Sequence, residues 1–212
     1  MIALLVFLFV VTAVLAYLIG GINGSIIVSK YIYRKDIRNF GSGNPGLTNF
    51  YRIFGMNGAL LVILIDILKN AIPVFIGGWL IGRVSDYGIL GRELAGLCAM
   101  IGNALPLYYG FRGGKGVMAM GTIVFFIDWR VALAAWGSFL ILLLLTRYVS
   151  LSAIIGVNSY PLMIGMLDLG GLPGLLIAIA SVALLIIRHR ENIKRILKGT
   201  ESKFFLYRKK EM

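Results

Sequence analysis

The chain is 212 residues long, 59% apolar and only 14% charged, with a mean hydropathy of +0.89. A soluble domain is about 45–50% apolar and about 25% charged, so the composition excludes an ordinary soluble enzyme and indicates an integral membrane protein. The net charge of +12 does not point to a nucleic-acid binder, because nine of the 21 basic residues lie between Arg188 and Lys210, behind the last apolar run. Basic residues so placed anchor a chain against anionic lipid.

No charged residue precedes Lys30, a length ample for crossing about 30 Å of hydrocarbon at about 1.5 Å per helical residue. This first run lacks a basic leader and is longer than a signal h-region of about 7–15 residues, so it is expected to be retained as a helix. Apolar runs and their interruptions predict an all-α protein of seven transmembrane helices, near 2–29, 57–82, 94–110, 117–128, 131–146, 149–167 and 173–187. The fourth and fifth are short and are separated by Asp128, Trp129 and Arg130. We read a polar turn between two tilted helices there, with one long broken helix as the alternative. Within the second run, Asp66 and Lys69 stand at i, i+3; an ion pair that supports packing is favoured over direct ligand contact.

No fixed-period repeat is visible, which gives one polytopic domain over 1–187 and a basic tail over 188–212. With the N-terminus outside, the loop from Lys30 to Arg52, the loop from Arg112 to Lys115, Arg147 and the tail face the cytoplasm together. Those segments hold 17 of the 21 basic residues, which favours N-out, C-in. Cys98 is the single cysteine; it excludes an intramolecular disulfide or a cysteine metal site and reads as a small core residue. Asn23, Asn158 and Asp168 receive structural readings.

Three polar regions share the predicted cytoplasmic face. The first runs Gly41, Ser42, Gly43, Asn44, Pro45, Gly46, Leu47, Thr48, Asn49, with Arg52 behind it. Glycines let backbone N–H groups approach an anion, hydroxyl and amide groups add donors, and arginine supplies a fork matched to phosphate. A literal GxGxxG occurs here without the preceding strand that a dinucleotide fingerprint needs, so it is discarded. The second is Gly110, Phe111, Arg112, Gly113, Gly114, Lys115, Gly116, preceded by Gly102, Asn103, Ala104, Leu105, Pro106. It would present N–H groups and an ammonium at a helix N-terminus. It is not a Walker A loop, since Tyr109 and Gly116 stand where glycine and Ser or Thr are required. The third is Arg188, His189, Arg190, Glu191, Asn192, continuing into Ile193, Ile196 and Leu197 at helical spacing. This predicts an amphipathic helix at the membrane surface. Any imidazole chemistry is confined to His189, the only histidine. Taken singly, the first two regions fit a flexible membrane loop and a glycine turn with a basic anchor about as well as a site.

In their order and spacing the regions resemble one family, the bacterial membrane glycerol 3-phosphate acyltransferases that use acyl phosphate as donor (PlsY type). The resemblance runs from about Gly20 to Glu201. It rests on Asp36-Ile37-Arg38-Asn39, the Gly41 loop with Thr48, Asn49 and Arg52, the Phe111 to Gly116 loop, Arg147-Tyr148-Val149-Ser150-Leu151, and His189 to Asn192. It implies seven helices with the motifs on the cytoplasmic face of the bacterial inner membrane. It further implies acyl transfer to the 1-hydroxyl of glycerol 3-phosphate, giving lysophosphatidic acid and phosphate. Carried over by position, Ser42, Thr48, Asn49, Arg52 and Lys115, with Gly41, Gly43, Gly113, Gly114 and Gly116, would bind phosphate. His189, Asn192, Asn103 and Ser42 would form the catalytic set, with Arg190 and Glu191 in support. The expected partners are acyl phosphate, glycerol 3-phosphate and membrane lipids, with no metal, cofactor, nucleic acid or obligate protein partner.

This sequence departs from the family pattern at Asn103, where histidine is usual after Gly102, and at Leu47, where alanine is usual; Pro45 stiffens the first loop. An amide keeps polarity at position 103 and removes acid/base capacity. The competing reading is therefore a paralogue that binds or transports phosphorylated lipids or phosphate esters without chemistry.

Overall fold

The structure, a computed structural model, describes residues 1–204; Arg208, Lys209 and Lys210 of the basic tail lie outside the described residues. Every regular element among the described residues is helical. In hydrocarbon this follows from the backbone, whose polar groups have no water to meet and must pair within the segment.

The predicted first helix is two. Helix α1 covers Ile2–Gly20 and α2 covers Gly24–Tyr31. The break is chemical: Asn23 Oδ1 accepts from Ile26 N at 2.9 Å and caps α2, while Asn23 Nδ2 donates to the Pro45 carbonyl at 3.1 Å. The first polar loop is thereby tied to the membrane-buried part of the chain. Helix α3, Leu47–Phe54, was not anticipated, because its polar residues read as loop. Its apolar positions Leu47, Phe50, Tyr51 and Phe54 nevertheless lie on one face, and buried Phe50 stacks 4.9 Å from Phe54 and 5.8 Å from Tyr33. Helix α4, Met56–Gly82, follows, and α5, Gly88–Ala104, begins earlier than predicted. Arg92 and Glu93 looked like an interruption; instead Glu93 is wholly buried and Arg92 donates to the Phe126 carbonyl at 3.0 Å. The helix then ends short of Pro106.

Helix α6, Val117–Ile127, and α7, Trp129–Thr146, form a hairpin about Asp128. Asp128 Oδ1 caps α7 through Arg130 N at 2.8 Å, and its carboxylate pairs with the Arg130 guanidinium at 2.9 Å. Trp136 Nε1 donates back across the hairpin to the Gly121 carbonyl at 2.9 Å, so the polar-turn reading holds and the broken-helix alternative fails. The sixth predicted span is α8, Val149–Gly156, running into α9, Ser159–Met166. Helix α10 covers Gly171–Arg188, and the amphipathic helix expected after it is α11, Arg190–Leu197.

Among the described residues five helices are long and apolar enough to cross a membrane: α1 with α2, α4, α7, α8 with α9, and α10. The α5 and α6 helices, of 17 and 11 residues, are shorter. One core gathers Ala16, Val74, Ala99, Met100, Ile123, Ala178 and Leu185, with Cys98 half-buried against it. A second, with Ile26, Ile37, Phe50 and Val62, lies under the first polar loop. Helices α1 and α5 cross at glycines: a Cβ on Gly20 would come 2.8 Å from the Ala99 carbonyl carbon, and one on Gly102 2.9 Å from Gly21 N. Such small-residue crossings bring backbones close without a hydrophobic driving force. This one places Asn103 and the end of α5 beneath the second polar loop.

Candidate active site

All three polar regions open onto one cleft of about 750 Å³. The first contributes Ser42, Gly43 and Asn44, with Asp36 and Arg38 from upstream; the second contributes Arg112, Gly113 and Lys115; the third contributes Arg188, Arg190, Glu191 and Arg195. Six cations thus face two carboxylates in the lining. Asp36 is committed to Arg38, whose guanidinium meets it at 2.7 Å and holds its carboxyl well below the usual range. The cleft is strongly positive and suits anionic ligands.

Local chemistry shapes the first loop. Gly41 and Gly43 sit at φ +59° and +69°, where a side chain is strained. Asn49 is buried and turned inward: its Oδ1 accepts from Ser42 N at 3.1 Å, and its Nδ2 donates to the carbonyls of Phe40 and Asn44 at 3.0 and 3.1 Å. Asn49 therefore shapes the loop from behind and is not in the cleft lining. Thr48 and Arg52 lie on α3 beside the cleft rather than in its lining, and Arg52 donates to the Ser202 carbonyl at 3.5 Å.

The glycine loop is clamped from two sides. Gly114 N donates to the Asn103 carbonyl at 2.9 Å, and Arg188 donates to the carbonyls of Gly113 and Gly114 at 3.0 and 3.3 Å. The Gly114 N–H is therefore not free for an anion, against the sequence expectation. Gly113 abuts the end of α5 so closely that a Cβ would meet the Asn103 and Ala104 carbonyls. Gly116, at φ +87°, starts α6.

Behind the lining, Lys115 Nζ donates to Asn192 Oδ1. Asn192 Nδ2 donates to Glu201 Oε1 at 2.7 Å, Ser150 Oγ to the same oxygen at 2.5 Å, and Arg195 Nε to Glu201 Oε2 at 2.7 Å. Burial pushes the Glu201 carboxyl up, but these three donors outweigh it and hold it below its ordinary value. Burial lowers the Lys115 pKa to about 8, aided by Arg195, Arg188 and Arg52 and opposed by Glu201. His189 is 2% exposed and its Nδ1 lies 2.8 Å from the Leu185 carbonyl. A carbonyl only accepts, so Nδ1 carries the proton and Nε2 keeps its lone pair. Burial, with Lys115 and Arg188 nearby, brings its pKa down to about 4, so the ring is neutral at pH 7.

Comparison with known proteins follows the same outline. The glycerol-3-phosphate acyltransferase family model matches residues 10–199. The chain belongs to the glycerol-3-phosphate acyltransferase family. It is 38% identical to a glycerol-3-phosphate acyltransferase of Thermoanaerobacter pseudethanolicus, covering 92% of this chain and 94% of the relative. A relative of that name from Shewanella woodyi is 40% identical over 89% of this chain and 90% of its own length. Two crystal structures of PlsY, an integral membrane glycerol 3-phosphate acyltransferase, are similar throughout. The glycerol 3-phosphate form has a TM-score of 0.83 at 36% identity, covering 93% of this chain and 96% of that one. The lysophosphatidic acid form has a TM-score of 0.80 at 35% identity, covering 93% and 95%. This acyltransferase-family chain is thus a multi-pass membrane protein. Sequence reasoning did not nominate Glu201, Arg195 or the Asp36–Arg38 pair for its site, and it named Arg188 only as the first residue of the third polar region. Asp36 and Arg38 lay inside a quoted motif; no local signal marks Glu201, whose partners are 51, 9 and 6 residues away.

Proposed function

We propose that this chain is a membrane acyltransferase that moves a fatty acyl group from acyl phosphate to the 1-hydroxyl of glycerol 3-phosphate. The products are lysophosphatidic acid and inorganic phosphate. The observation that carries this reading is the single cationic cleft onto which all three motifs converge, since two phosphate-bearing substrates must be held side by side against their mutual repulsion. Lys115 and Ser42 bind phosphate, with Gly43 and Gly113 allowing close approach, and Arg52 adds its charge from α3 beside the lining; Arg190 and Glu191 frame the mouth.

Acyl phosphate is a mixed anhydride, so transfer is direct. The bond between the acyl carbon and the phosphate oxygen breaks as the ester to the 1-hydroxyl forms, and the hydroxyl proton leaves with the phosphate. A pKa near 4 makes His189 a weak base; we assign its Nε2 to orienting the acceptor hydroxyl, while Asn192, committed to Lys115 and Glu201, holds Lys115 in place. Lys115 stabilises charge on the departing phosphate. The cleft belongs on the cytoplasmic side of the inner membrane of a bacterium, with the N-terminus outside, seven spans over 1–187 and the basic segment from 188 lying on the anionic lipid surface.

Purified protein in lipid should release phosphate and form lysophosphatidic acid in equal amounts from palmitoyl phosphate and glycerol 3-phosphate. Absence of turnover with intact binding of glycerol 3-phosphate would instead establish the non-catalytic binding reading. The protonated Lys115 is the binding form, so kcat/KM should fall as pH rises through about 8. In Lys115→Arg, which stays charged, that alkaline limb should vanish below pH 10 even at a lower plateau. A limb unchanged in the arginine variant would remove Lys115 from the phosphate site.

A further inference from the structure

Asp66, Lys69 and Asn103 are 7%, 4% and 8% exposed, and the chemistry above uses none of them. Lys69 Nζ lies 2.9 Å from Asp66 Oδ1 and donates to Asn103 Oδ1 at 2.8 Å. A buried ammonium inside a membrane helix is expensive without partners, and among the described residues Asp66 is the carboxylate that answers its charge. The additional bond to Asn103, 34 residues away on α5, has a directional consequence. An ammonium only donates, so it fixes the Asn103 amide with its oxygen, not its nitrogen, on Lys69. The amide as a whole lies under the glycine loop: a Cβ on Gly114 would lie 3.3 Å from Asn103 Nδ2 and 3.7 Å from its Oδ1. The Asn103 carbonyl meanwhile receives Gly114 N at 2.9 Å. Lys115, the next residue, carries the ammonium that faces the cleft and bonds Asn192.

We propose that Lys69, acting through Asn103, is a positioning residue for the glycine loop and so for Lys115, a role that rests on the acyltransferase reading for its kinetic consequence. The ammonium holds the amide, the amide packs under the loop, and the Asn103 backbone carbonyl bonds Gly114 N while Arg188 bonds the carbonyls of Gly113 and Gly114. Asparagine suits this post because its side chain offers an acceptor to Lys69 while packing under the loop. A neutral imidazole also offers an acceptor nitrogen, so position 103 works without moving a proton.

The test is a double-mutant cycle. Asn103→Leu keeps the Asp66–Lys69 pair, and Lys69→Met is made together with Asp66→Asn so that no lone carboxylate is left buried. Each variant is assayed for kcat and KM with both substrates, and for thermal stabilisation by inorganic phosphate. Asn103→Leu should lower kcat/KM about 10- to 100-fold and weaken the phosphate response. Combining it with the Lys69→Met, Asp66→Asn change should be no worse than the more damaging parent. Asn103→His should stay within a few-fold of wild type, with no new limb in its pH profile. Multiplying effects, or an Asn103→Leu protein with wild-type kinetics and phosphate response, would overturn the proposal. If the unaltered protein shows no acyl transfer, the acyltransferase reading fails, and the phosphate responses across the cycle still decide whether Lys69 and Asn103 act on the loop together.

Discussion

Lys115→Met should lower acyl transfer by about 10²–10³-fold, the usual effect of removing one preorganised charge that stabilises a developing anion. The side chain is well placed for so large a loss. It faces a cleft shared by all three motifs, its ammonium is bonded to Asn192, and burial has already stripped much of its water. A bound phosphate therefore meets a cation that needs little further desolvation, in surroundings where the interaction is weakly screened. The variant should fold: methionine matches the stem of lysine, and Asn192 retains its bond to Glu201. The deciding measurement is single-turnover phosphate release alongside thermal unfolding. A cooperative transition close to wild type with transfer reduced less than tenfold would mean that Arg188, Arg190 or Arg195 carries the phosphate instead.

Glu201→Gln should be nearly as damaging, for a different reason. The carboxylate accepts three hydrogen bonds, from Ser150, Asn192 and Arg195, and in doing so determines which way the Asn192 amide points. With Nδ2 held by Glu201, Oδ1 is left for Lys115. Glutamine brings its own N–H₂ into this cluster, where it opposes one of those donors and competes with Lys115 for the Asn192 oxygen. Leaving one partly buried donor unmet costs about 1–3 kcal/mol, visible as a lower unfolding midpoint. Activity should fall further than stability explains, because both Lys115 and Asn192 lose their orientation. Glu201→Asp, which keeps the charge and shortens the reach, should recover part of the activity. Wild-type kinetics in Glu201→Gln would make this cluster a fastening of the C-terminal segment and nothing more.

The elements that sequence reasoning located are those whose signal is contiguous. Apolar runs gave α4, α7 and α10 nearly to the residue, because in lipid length and composition alone decide a helix. The glycine-rich loops were visible for the same reason, as their residues are neighbours in the chain. What escaped notice depends on contacts between distant parts. Asn23 divides the first helix because its amide finds both Ile26 and Pro45. Helix α3 forms because Phe50 and Phe54 pack under the first loop beside Tyr33, although its composition reads as loop. Asn49 looked like a ligand by its setting among glycines, yet a side-chain amide serves backbone groups equally well, and here it does. The Gly114 N–H was offered to an anion for the same reason and is bonded to Asn103. Periodicity reports which face of a helix is covered and is silent about which polar atom meets which.

The shortness of α6 bears on where the reaction takes place. Eleven residues at about 1.5 Å each reach about 16 Å, roughly half the hydrocarbon thickness. The hairpin turn at the far end carries Trp129 and the Asp128–Arg130 pair, groups at home among headgroups. With that turn at one water interface, Gly116 at the other end of α6 lies well inside the layer rather than at its opposite edge. The phosphate groups would then meet in a water-filled pit sunk into the bilayer, level with the upper methylenes of the surrounding lipids. In the proposed reaction a water-soluble acceptor would descend to it from above, while a long-chain donor would slide in from the side without lifting its tail out of oil.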